Sequence, residues 1–361
     1  VRIGAATVLL NGFIRADGGG GGPGGSGGGL YLDTGTLSGG GSISAQGGDG
    51  GSSYGYGGGG GRIAIVYGDM SGFAPSQITA AGRDRGGAGT IYLRQREQLY
   101  GDLIVDNAGV TSVGYTTPLR SVGPGVSTTL TAITLEDTAA NFPVPDPATG
   151  ALGLIGLELN PNTAQNRTFT IVANTATTLA IDPSDGDLTE VATVGDGYIG
   201  VYTFDNLSVR NQARVETADD IRIAAGGSLT VDGAWLKANQ ILGTELDFDA
   251  PNEGVVELVE GWRLDALTLD GDTLNLAGEL RLGSLTLAND SALEYDGTLW
   301  VTGALTLLNN SRLTHPGSTP TFTSMLEIEV DTLDIDATSG IDVSGKGYLG
   351  SRCDGPARTL G

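Results

Sequence analysis

From Leu207 onward the apolar positions fall in short alternating bursts separated by polar corners: LSVRNQARV, LTVDGAWL, LDFDAPNEGV, LTLDGDTL, LTLANDSAL, LTLLNNSRL and LDIDATSGI. They start at 207, 229, 246, 267, 285, 305 and 333, about 21 residues apart on average. Each burst is too short for a helix, and the alternation in Leu267-Thr268-Leu269 or Leu285-Thr286-Leu287 puts two aliphatic side chains on one strand face. The Asn, Asp and Gly that follow supply the left-handed or turn conformations of a sharp corner. Strand, corner, strand, corner at a period near 20 residues predicts one turn of a parallel β-solenoid, with equivalent Leu residues stacked in ladders.

The first third carries the same pattern with glycine between the strands. Alternating strands at Leu30-Tyr31-Leu32, Ile63-Ala64-Ile65 and Ile91-Tyr92-Leu93 each follow a glycine-rich tract. An apolar-x-Ala-x-Gly element recurs at Ile14, Ile43 and Ile78, so the repeat here is about 30 residues. The tracts 18–29 and 47–61 have the composition of flexible linkers. Their strict interleaving with strands favours the other reading, extended polyproline-II-like segments packed where only Gly allows close backbone approach.

Residues 131–204 break this pattern. Leu157-Glu158-Leu159, the turn at 160–162, the run 167–182, the acidic turn 183–187 and DGYIGVYTF at 196–204 predict a small inserted antiparallel β-domain, with 142–150 as a linker leading into it. The expected organisation is therefore a glycine-rich solenoid over 1–130, the insertion over 131–204, and a leucine-ladder solenoid over 205–361. That last part returns to the opening pattern, since Ile341-Asp342-Val343-Ser344-Gly345 matches Ile14 to Gly18. The fold class is all-β, and the return to the opening pattern marks the chain as one module of a longer array.

Composition narrows the function. Gly accounts for 62 of 361 residues and aromatics for 6%, so an aromatic-rich globular core does not organise the chain. The formal charge of −23 repels nucleic acid. Cys353 is the single cysteine, which excludes an intrachain disulfide. No apolar run is long enough for a membrane-spanning helix.

The segments GGGLYLDTGTLSGGGSISAQGGDGG, GGGGGRIAI, GDGYIGVYTFDNLSV and SGIDVSGKGYLG resemble glycine-rich modules of very large bacterial cell-surface β-helix proteins of the adhesin type. The likeness is one of repeat style over most of the chain. It implies a secreted, right-handed parallel β-helix with a role in surface architecture or attachment, and it supplies no catalytic residues.

Candidate chemistry is sparse. His315 is the only histidine, so zinc sites and His-based triads lack their parts. Acidic turns at Asp182, Asp185 and Asp187, at Asp247 and Asp249, at Asp270 and Asp272, and at Asp334 and Asp336 offer oxygen ligands to calcium. The bland alternative is solvated turn acids that keep a long object soluble. Asp270 with Asp272, or Glu257 with Glu260, are the pairs to consider for glycoside hydrolysis, which needs two carboxylates. A sugar-binding face would draw on Trp235, Trp262, Trp300, Tyr54 or Tyr56. Asn166, Asn206, Asn289 and Asn309 begin glycosylation triplets. The expectation is a non-enzymatic, extracellular structural or adhesive module whose partners are copies of itself or neighbouring modules, with surface glycans as a further candidate. Its rival is a carbohydrate-binding or polysaccharide-cleaving protein, which would need acidic and basic residues clustered along one lateral groove.

Overall fold

Strands make up 53% of the protein in the computed structural model, which describes residues 1–347 except 52–55, 113, 250, 251, 253, 272, 278 and 320–322. The protein is all-β, with one large, mostly parallel sheet. Tyr54, Asp272 and Cys353 lie outside the described residues, as do the side chains of Asp247 and Asp249.

The glycine-rich part contains β1 (Arg2–Leu9), β2 (Phe13–Arg15), β3 (Gly29–Ser38), β4 (Ser42–Ser44), β5 (Arg62–Gly72), β6 (Ile78–Thr79) and β7 (Thr90–Gln95). Strands β1, β3, β5 and β7 pair in parallel, with Ile3, Leu32, Ile65 and Leu93 in one register row. A second parallel row joins β2, β4 and β6 through Ile14, Ile43 and Ile78. Leu32, Leu37, Ile43 and Ile65 are fully buried between the rows.

The described residues of the glycine tracts are extended and hydrogen-bonded to other segments. Gly24 and Gly27 donate to the Tyr56 and Gly59 carbonyls, and Gly57 and Gly60 to those of Asp84 and Gly87. In the antiparallel sense, Gly25 and Gly28 donate to Gly19 and Ala16, and Gly58 and Gly61 to Gly48 and Ala45. Each neighbour is met at every third residue, whereas a β-ladder repeats every second. A repeat of three is that of an extended polyproline-II-type helix, here with its backbone groups bonded to other segments. A Cβ at Gly58, Gly60 or Gly61 would sit 1.8, 1.7 or 2.0 Å from a carbonyl oxygen of another segment. None of the three has a positive φ, so these positions need glycine for its size, not for backbone freedom.

Next comes β8 (Asp102–Asp106), which pairs antiparallel with β7, Ile91 facing Ile104 and Tyr92 facing Leu103. The pairing inverts the core. Ile104 packs against the glycine-rich cluster, while Leu103 and Val105 are buried in the separate leucine-rich cluster. Successive parallel stacks therefore lie on opposite faces of one continuous sheet.

Between the stacks run β9 (Thr117–Pro118), β10 (Gly125–Val126), β11 (Thr129–Leu130), β12 (Thr134–Glu136), β13 (Pro145–Asp146), β14 (Ala151–Leu152), β15 (Glu158–Asn160), β16 (Phe169–Asn174) and β17 (Thr178–Ile181). Apart from β9 these strands pair antiparallel, and the pairing begins at Gly125, opposite Tyr198. They share a third apolar cluster that includes Leu135, Leu154, Phe169 and Ile171.

The leucine-rich part consists of β18 (Gly197–Arg210), β19 (Arg214–Glu216), β20 (Asp220–Asp232), β21 (Trp235–Asp249), β22 (Val255–Asp270), β23 (Thr273–Ala277), β24 (Leu280–Ala288), β25 (Ala292–Leu307), β26 (Arg312–Thr314), β27 (Leu326–Ile335) and β28 (Gly340–Ile341). Strand β18 returns to pair in parallel with β8 across the intervening segment, Leu207 beside Leu103. The first register row runs Leu103, Leu207, Leu229 and Phe248, and further on Leu285, Leu305 and Leu333 share another. A second wall aligns Leu274, Leu293, Leu313 and Ile341. A third aligns Ile221, Ile241, Trp262, Leu280, Leu299 and Ile328.

The corners stack as well. Asn211-Gln212, Asn289-Asp290 and Asn309-Asn310 each place two residues at φ of 55° and 67°, where Asn and Asp are tolerated best after glycine. Asn309 Nδ2 donates to Asn289 Oδ1 at 2.9 Å, and Asn289 Nδ2 to Asp270 Oδ1 at 2.6 Å, so an amide ladder climbs the corner.

Candidate functional site

Strands β20, β21, β22 and β24 on the third wall of the leucine-rich stack bring charged side chains together beside the antiparallel segment. Asp220 opens β20, Asn239 and Gln240 lie in β21, Glu260 and Arg263 in β22, and Glu279 and Arg281 flank the start of β24. With Pro124, Gly125, Thr163 and Gly197 on the other side they line a cleft of about 570 Å³.

Asp220, which lines the cleft, and its neighbour Asp219, which does not, are both buried, 5% and 1% exposed. Asp219 accepts hydrogen bonds from the backbone N–H groups of Val122 (3.0 Å) and Gly123 (2.7 Å), tying the segment before β10 to the stack. Gly200 leaves room for this carboxylate, since a Cβ there would lie 2.3 Å from Asp219 Oδ2. Asp220 accepts from Asn239 Nδ2 at 2.6 Å. Burial pushes both carboxyls up to about 6. The backbone donors hold Asp219 back and Asp220 raises it further. Asn239 and the Arg222 and Arg263 guanidiniums hold Asp220 back, while Glu260 raises it. Trp262, 1% exposed, also lines the cleft, and its indole N–H has no partner among the described residues. Arg281 stacks over the Trp300 ring, 5.4 Å from its centroid. The arrangement mixes acids with arginines, and it suits a polar, hydroxyl-rich ligand or a charged one.

The residues singled out in the sequence are mostly dispersed. Asp182 accepts from Ser184 N and Oγ, and Asp187 from Thr189 N and Oγ1, each capping a single 3-10 turn. These bonds hold both carboxyls below the usual range. Asp185 accepts from Thr170 N at 2.6 Å. Asp270 is a member of the corner ladder. Asp336 takes backbone bonds from Asn309, Thr338 and Ser339, which lower its carboxyl. Among the described residues no group of three or more His, Cys, Asp and Glu side chains is arranged to hold a metal ion.

Glu257 and Glu260 separate. Glu257 pairs with Lys237 at 2.7 Å, and Glu260 turns into the cleft. The ring of Trp235 carries Arg214 at 4.3 Å, and His315 Nδ1 lies 2.7 Å from the Pro316 carbonyl. Asn206 Nδ2 donates to Asp102 at 2.7 Å, so three of the four glycosylation-triplet asparagines have their amide nitrogen engaged, Asn206 between strands and Asn289 and Asn309 along the corner. Asp219 and Asp220 went unnoticed in the sequence, although an adjacent acid pair directly before the alternating IRI of a strand is the signal that marks them.

No family model, no curated protein and no solved structure matched the chain. Among the described residues no helix is long and apolar enough to cross a membrane.

Proposed function

We propose that the chain is an extracellular structural module, a right-handed parallel β-solenoid interrupted by an antiparallel insertion, which works as a stiff rod in a surface fibre or adhesive array like the bacterial modules it resembles. The observation that carries this reading is the stacking of side chains: aliphatic rows on three walls, amide ladders on the corners and interlocked glycine helices. A row of this kind makes each repeat depend on its two neighbours, which gives stiffness along one axis. Twelve parallel-stack strands at about 4.8 Å spacing correspond to a rod roughly 50 Å long. Small-angle scattering and electron microscopy of the purified chain test this directly, with an elongated particle expected. A compact, near-spherical particle would reject it.

A second reading is favoured by the cleft alone. Asp220, Glu260 and Glu279 beside Arg263 and Arg281 meet the requirement for a polysaccharide-binding or polysaccharide-cleaving groove. Reducing-end release from acidic and neutral glycans, abolished by Glu260→Gln, would establish cleavage, and saturable binding without release would establish a lectin-like role.

A further inference from the structure

The first and last rungs among the described residues differ from those between them. Among the described residues β1 pairs only with β3, and β27 only with β25. On the β27 side the inward row opens to solvent. Leu333 is 48% exposed and Ile335 37%, whereas Leu305 and Leu307, their register partners one rung earlier, are 0% exposed. Ile341 and Val343 are likewise open at 37% and 44%.

The two open rungs share one spacing. Ile3, Val8, Ile14 and Ala16 are separated by 5, 6 and 2 residues, as are Val330, Ile335, Ile341 and Val343. The same intervals separate Leu32, Leu37, Ile43 and Ala45, and these are the residues seen beside β1 and β2, with Ile3 opposite Leu32, Val8 opposite Leu37 and Ile14 opposite Ile43. The structure thus contains, inside one molecule, a worked example of this pattern pairing with itself in parallel.

Charge points the same way. Placing Val330 opposite Ile3 puts Glu329 opposite Arg2, and placing Ile341 opposite Ile14 puts Asp342 opposite Arg15. Glu327, Asp331, Asp334 and Asp336 make the rest of the β27 rung acidic, while Arg2 is the only charged residue of β1. Arg2 and Arg15 are held outward over the Tyr31 and Phe13 rings at 5.3 and 4.1 Å. Asp342 already pairs with Arg312 at 2.7 Å, so Arg15 would extend an alternating row.

We propose that the β27–β28 rung of one copy receives the β1–β2 rung of a second copy as its next parallel neighbour. The inference rests on the scaffold reading and names its assembly contact. The two surfaces differ, so the contact is head-to-tail and does not close on itself, and repetition extends the rod into a filament.

The test uses the full chain, with sedimentation velocity over a concentration series. Wild type is expected to form linear oligomers. A chain with Arg2→Glu and Arg15→Glu, and another with Glu329→Arg and Asp342→Arg, should each associate about tenfold more weakly, since like charges then face each other across the joint. Mixing the two variants should restore linear oligomers in which they alternate, because the reversed surfaces match each other and the two unaltered surfaces also match. Circular dichroism and melting of each variant alone show that it is folded.

A wild-type chain that stays monomeric at high concentration overturns the proposal. So does association that the reversals leave unchanged, or association that appears only after residues 348–361 are removed, which would make the chain's own tail the occupant. Scattering from the monomer reports the rod shape separately, so an elongated monomer that does not associate rejects this contact and leaves the solenoid reading standing.

Discussion

Burial sets the energetics of Asp219 and Asp220. An acid whose folded pKa lies near 6 binds its proton more tightly than in the unfolded chain, where the ordinary value is 3.8. The stability these groups allow is therefore greatest below pH 4 and falls as pH rises through 6, by about 3 kcal/mol for each shift of about two units. Asp220→Asn keeps an acceptor for Asn239 and removes the charge. It should raise stability at pH 8 by up to about 3 kcal/mol and flatten the dependence between pH 4 and 7, as read by urea denaturation at several pH values. The exposed turn acids Asp182, Asp187, Asp336 and Asp342 act in the opposite direction, since their lowered carboxyls favour the fold above the unfolded value and lose that effect as pH falls. Glycine gives the other single-residue contrast. Gly58→Ala forces a Cβ to 1.8 Å from the Gly25 oxygen, whereas Gly19 has nothing within 4 Å and no positive φ. The first change should cost about 3 kcal/mol or more because backbone must separate, and the second should be neutral or stabilising by a few tenths, in parallel melts.

At the scale of elements, the corners decide how strands of the leucine-rich stack meet. Asn289 combines a φ of 55° with two ladder bonds, to Asp270 below and from Asn309 above. Asn289→Gly removes only the amide, while Asn289→Ala also forces a Cβ into the left-handed region at about 1 kcal/mol. The Ala variant should therefore be the less stable of the two, by about 1 kcal/mol in urea unfolding. The engaged amide nitrogens also predict that intact mass finds no glycan on Asn206, Asn289 or Asn309 after secretion from a glycosylating host. The strands themselves were legible because Leu267, Leu269, Leu285 and Leu287 alternate with polar residues, and period two admits one reading. The glycine tracts were only half legible, because composition alone cannot separate a linker from a packed helix. What separates them is the threefold hydrogen-bond pattern, which joins residues from 6 to 32 positions apart. The cleft was not legible, since its acids Asp220, Glu260 and Glu279 stand 40 and 19 residues apart in the chain and its far side comes from the antiparallel segment.

For the whole molecule, the decisive feature is the antiparallel joint between β7 and β8, where the core passes from one face of the sheet to the other. A strand covered on one face alternates, but Leu103, Ile104 and Val105 are three consecutive apolar residues, the pattern of a strand covered on both faces. That run was the available signal, and without it the two stacks read as one uninterrupted rod. The inversion separates the cores of the two parallel stacks, which share a single strand. Leu103→Ala should loosen the leucine-rich stack and Ile104→Ala the glycine-rich one, although the residues are adjacent. In native-state hydrogen exchange the first is expected to lower protection across β18, β20 and β21, by about 2 to 4 kcal/mol at the nearest rungs, while β3 and β5 keep theirs. The second should do the reverse with a smaller amplitude, because Ile104 is only half-buried. Equal loss on both sides from either change would mean that the stacks unfold as one unit, and that the shared strand transmits order between cores instead of separating them.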